Sequence, residues 1–112
     1  MKFSFSASVA CLTMTLAPPL LANTEAQHAS ISRLGGLNGV ALQCRYYDQT
    51  ERIKIVLIAN LPKRRELGLL FEHTTNNSFM SFMQQDRVCP GRAAFVSEVD
   101  KAVVRLESAY AK

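Results

Sequence analysis

The chain has no tryptophan, and nowhere are its nine aromatic residues, six Phe and three Tyr, interleaved with basic ones. Charge of one sign is scarce too. Thirteen Lys and Arg against nine Asp and Glu leave a net charge of +4. That is far from the basic stripe by which a nucleic-acid binder is recognised, so no nucleic-acid partner is expected. Histidine is limited to His28 and His73, and the cysteines outside the N-terminal segment, Cys44 and Cys89, stand 45 positions apart. Neither pair has metal-ligand spacing, so no metal and no cofactor are expected. No nucleophile is placed beside a base by any motif, which leaves no catalytic residue to nominate. The 48 % apolar share is ordinary for a globular protein and too high for a disordered one. At 112 residues the chain is one domain at most.

Residues 1–22 read as an export signal. Met1-Lys2 supplies a minimal positive start, and Phe3 to Leu16 is apolar, uncharged and diluted by Ser and Thr. Pro18-Pro19 would break a helix, and Leu20-Leu21-Ala22 ends in a small residue suited to cleavage. A second cleavage point follows Ala26. The apolar part is shorter than the about 20 residues a spanning helix needs. An uncleaved anchor is the alternative, but the polar run Asn23 to Gln27 follows at once, as expected beyond a cleavage site. Cys11 lies too close to Lys2 for a lipid-attachment signal and is read as part of the leader.

Removing the signal leaves Cys44 and Cys89. In an exported chain an even pair is most economically one disulfide, with two free thiols or an intermolecular pair as alternatives. Closing this loop would stabilise the fold by roughly 4 kcal/mol in the chain-entropy model. A mature domain of about 86 to 90 residues is marginal enough for that to matter.

Residues 23–30 read as a flexible lead-in and 31–112 as a single helical domain. Ile31, Leu34, Leu37, Ala41 and Cys44 recur at helical spacing. Gly35, Gly36 and Gly39 weaken that helix, unless another backbone packs closely on them. Asp48 to Glu51 reads as a turn into a capped helix start. The nearly continuous run Ile53 to Ile58 fits a short buried helix; the alternative is an α+β arrangement with a hairpin near 39–60. Pro62 is placed at the start of a third helix, and the poor helix formers Thr74 to Ser78 at a kink or loop within it. After Cys89-Pro90-Gly91, the residues Val96, Val99, Val103, Leu106 and Tyr110 describe an amphipathic core helix. The expected fold is an all-α four-helix bundle stapled by one disulfide.

Several of these features resemble a family of short exported two-cysteine alphaproteobacterial proteins of unknown function. They are Leu34-Gly35-x-Leu37 before Cys44, then Glu51-Arg52, Pro62 with Arg64-Arg65, Phe79 and Phe82 before Cys89, and a last helix closing on Tyr110. The resemblance covers nearly the whole mature chain. It implies an exported all-helical domain with two cysteines and no established activity.

Four features are candidates for function. Lys63-Arg64-Arg65, at a helix start where the dipole favours acids, would suit an anionic surface, or else simply form a solvated turn. Tyr46 and Tyr47 cannot both be buried on one helix face, so one would be free to touch a partner. Phe79, Met80, Phe82 and Met83 would make an adaptable groove or, more ordinarily, core. Glu72 and His73 are adjacent, and adjacent helical residues do not face each other as an acid–base pair would require. The leading expectation is a non-enzymatic, periplasmic interaction module whose partner is another envelope protein. The alternatives are an acid-stress-type chaperone, and a peripheral binder of anionic lipid or cell-wall polymer with weak membrane-surface association.

Overall fold

The computed structural model describes Ala10 and residues 19–111. Apart from Ala10 and residues 19–22, the expected export signal, with Cys11, lies outside the described residues. Helix α1 is described over Pro19–Gln43. The helix also runs through residues 23–30, expected as a lead-in. Tertiary contacts hold this polar segment: the Gln27 amide donates to the Ala109 carbonyl (3.1 Å), and Ser30 is buried.

Helix α1 ends in a tight C-terminal turn. Arg45 takes a positive φ of 60°, and the Tyr46 N–H reaches back to the Ala41 carbonyl (2.8 Å), the bond of a Schellman motif. Helix α2 (Tyr47–Asn60) follows at once. Asp48 to Glu51, expected as a turn, therefore forms the start of this helix. No strand occurs among the described residues, and the hairpin near 39–60 is excluded. The reason lies in the period of the apolar run. Ile53 and Leu57, four apart, are buried, while Ile55 and Ile58 are 60 % and 83 % exposed. That is helical spacing, not strand alternation.

Helix α3 spans Arg65–Gln84. Pro62 lies three residues before it, in a turn where the Arg64 N–H bonds the Pro62 carbonyl (2.8 Å). The helix runs unbroken through Thr74 to Ser78, and α1 explains why. A Cβ on Gly39 would stand 2.7 Å from the Phe79 nitrogen and 2.7 Å from the Thr75 carbonyl oxygen. One on Gly35 would collide with the Thr74 hydroxyl. The glycines of α1 and the short polar residues of α3 thus allow the two backbones to approach. Hydrogen bonds cross the seam: Ser78 Oγ to the Gly36 carbonyl (2.6 Å), and Asn38 Nδ2 to Thr75 Oγ1 (3.2 Å). Tertiary contact here outweighs the weak helix propensity of both segments. Helix α3 ends like α1, with Asp86 at φ 49° and the Arg87 N–H on the Phe82 carbonyl (3.2 Å).

Helix α4 (Arg92–Tyr110) buries Phe95, Val99, Ala102, Val103 and Leu106. They join Ile31, Leu34, Leu37 and Ala41 of α1 and Ile53 and Leu57 of α2 in the core. Helix α1 is the hub and approaches all three others closely; α2 also approaches α4, while α3 runs closest to α1 and sends Leu67 into the shared core. The four helices form one all-α bundle, stapled between Cys44 and Cys89 with Cα atoms 5.6 Å apart. The bond joins the end of α1 to the loop between α3 and α4, close to both positive-φ turns. Because α3 runs closest to α1, open grooves flank it on both sides.

Candidate docking groove

The residues nominated from the sequence scatter over the surface. Tyr46 is a structural residue. Its ring lies against Phe95 (centroids 5.3 Å apart), its hydroxyl donates to the Pro90 carbonyl (2.6 Å), and the Arg92 guanidinium lies over the ring at 5.1 Å. Tyr47 is exposed and borders a cavity of about 530 Å³ with Leu42, Ile55 and Ile58. Of the aromatic–methionine cluster, Phe82 is buried, whereas Met80 and Met83 face outward. Glu72 and His73 are both exposed, and the His73 ring meets the Asn77 amide (3.2 Å). Among the described residues no three His, Cys, Asp or Glu gather as metal ligands.

The basic run is where chemistry and shape meet. Lys63 and Arg64 form one lip of a groove of about 400 Å³ between the end of α2 and the start of α3. Its apolar walls are Leu57, Ile58 and Leu61 on one side and Leu67 and Phe71 on the other, with Gly68 between the last two. Lys54 adds a third cation to the rim; Arg65 is exposed but outside the lining. Arg64 is matched by Glu66 (2.8 Å). The Glu66 carboxyl is held below its ordinary range, first by its own backbone N–H at the helix start and then by Arg64. Lys54, Lys63 and Arg65 form no ion pair among the described residues. The groove is thus apolar within and positive at its edge, and its size falls in the range of ligand clefts.

The groove on the other side of α3 differs. It has a similar volume, about 410 Å³, and includes Leu37, Val40 and Phe82. Charges of both signs crowd it: Arg33 pairs with Glu98 across it (3.0 Å), and Arg87 lies over the Phe82 ring at 5.8 Å. At the disulfide end, Arg92 grips Asp48 through two bonds of 2.8 and 3.1 Å. Those bonds, then the Gln49 amide, hold the Asp48 carboxyl far below the usual carboxylate range.

The sequence reading found the cations but not the groove. One signal was present. The run Ile53 to Ile58 carries more large apolar side chains than one buried helix face can use, and the surplus is Ile55 and Ile58. Gly68 inside α3 acquires meaning only beside the open space before it.

No helix among the described residues is long and apolar enough to cross a membrane. No protein-family model, curated protein or solved structure matches the chain.

Proposed function

We propose that this protein is a non-enzymatic interaction module of the bacterial cell envelope, exported to the periplasm, that holds another protein in the groove between α2 and α3. The observation that carries the reading is the groove itself: an apolar trough bordered by Lys54, Lys63 and Arg64, beside an Ile58 that is 83 % exposed. Contiguous apolar surface rimmed by polar groups is how interaction sites look before they are filled. Export is supported by the leader-like residues 1–22 and by the disulfide, since such bonds persist in oxidising compartments. The resemblance to short exported two-cysteine proteins points the same way.

An anionic surface is the competing ligand, favoured by Lys63 and Arg65, which form no ion pair among the described residues. Site-specific photo-crosslinking separates the two. A photoreactive residue at Ile58, introduced in cells that express the protein, should give a discrete protein adduct that the same residue at Lys101 of α4 does not. Lipid adducts alone, or identical adducts from both positions, would refute a protein-binding groove.

A further inference from the structure

Gly68 sits in the interior of α3, and a Cβ built on it has nothing within 4 Å. Gly35 and Gly39 earn their places by the close approach of α3, but no part of the monomer requires a glycine at position 68. A side chain there would stand in the groove between Leu67 and Phe71.

We propose that the groove seats an amphipathic helix of the partner protein, its backbone close to Gly68 and its acidic residues along the flank facing Lys54 and Lys63. This inference rests on the interaction-module reading and names the chemistry of the partner. Three observations support it. First, the groove is a gap between two helices whose backbones stay apart. Its walls carry apolar residues four apart, Leu57 with Leu61 and Leu67 with Phe71, which are the ridges a further helix packs against. Secondly, a residue without a side chain lets a helix backbone approach, where an acyl chain would gain contacts from a larger wall residue. Thirdly, Lys54 and Lys63 form no ion pair among the described residues, while Arg64 is already matched by Glu66. Two cations at the groove rim without an acid of their own favour acids on the partner beside them and disfavour bases there.

The test is selection from displayed 18-residue amphipathic helices with a fixed leucine seam and Glu, Gln or Lys at the flanking positions. Glu should be enriched on one flank. The selected helices should lose at least tenfold in affinity for Gly68→Leu and for the double variant Lys54→Glu/Lys63→Glu, and should weaken as salt rises. Because the space before Gly68 is open, Gly68→Leu should melt no lower than the parent, so lost binding is not lost folding. Enrichment of Lys or Gln, or affinity unchanged by Gly68→Leu, overturns the proposal. So does tighter association with phosphatidylglycerol vesicles than with any selected helix. A protein adduct from Ile58 together with Lys-enriched helices refutes the partner chemistry and leaves the module reading standing; absence of the adduct refutes that reading itself.

Discussion

Replacing glycine by alanine at four helical positions tests the α1–α3 seam, because one chemical change should act in two directions. Alanine gains about 1 kcal/mol over glycine in a helix interior. Gly36 and Gly68 have open space before them, so Gly36→Ala and Gly68→Ala should collect most of that gain. Gly39→Ala should not. Its Cβ would lie 2.6 Å from the Ser78 Cβ and 2.7 Å from two backbone atoms of α3, against about 3.5–4.0 Å for an ordinary carbon contact. Two of the three neighbours are backbone, so no rotamer change clears them and the helices must part. Overpacking costs about 1–3 kcal/mol, and strained Ser78 and Asn38 bonds across the seam add about 1 kcal/mol. After the propensity gain, Gly39→Ala should be less stable than the parent by about 1–3 kcal/mol. Gly35→Ala should fall between, since turning the Thr74 side chain relieves part of its clash. Urea unfolding followed by far-UV circular dichroism gives the order. A Gly39→Ala variant as stable as Gly36→Ala would refute the close-packed seam.

Exchanging both cysteines for alanine should lower stability by about 4 kcal/mol through the reopened loop, seen as a shift of the urea midpoint; an unchanged midpoint would show that the bond does not constrain the unfolded chain. Thr75→Val alone strips buried Asn38 of its hydrogen bond and should cost about 1–3 kcal/mol. Adding Asn38→Leu should restore most of that, and a purely additive cycle would contradict the pairing. The carboxyls of Asp48, Glu66 and Glu98 are all depressed in the fold. Each therefore stabilises the fold above the ordinary carboxylate range near pH 4 and ceases to as pH falls through its own lower value. The melting temperature should be level from about pH 8 to 5 and fall below about pH 4; a decline beginning near pH 6 would contradict this assignment. Dye binding at the low end is what an acid-stress chaperone would require, and its absence would remove that option.

Periodicity made much of the bundle legible. The positions Val99, Val103 and Leu106 specify α4 without help, and Ile31, Leu34 and Leu37 mark the buried face of α1. The misreadings were local signals overruled by tertiary contact. Thr74 to Ser78 looks like a break because helix propensity ignores what faces it; opposite Gly35 and Gly39, short side chains are what the seam needs. The polar residues 23–30 looked like a flexible lead-in, yet the contact between Gln27 and Ala109 links positions too far apart for any window to pair. The groove was hidden for a related reason. Lys63 and Arg64 are visible in the sequence, but their setting requires Leu57 and Phe71 to face each other across a gap, and that depends on where α1 holds α2 and α3.

The central claim, that the trough between α2 and α3 seats a helix of a protein partner with its backbone against Gly68, is tested most directly by one paired measurement on Gly68→Leu. Its melting temperature and its yield of the Ile58 photo-adduct would be recorded beside those of the parent. The account requires a melting temperature equal to or above the parent's and an adduct reduced at least tenfold. A full adduct yield from a well-folded Gly68→Leu protein would contradict it.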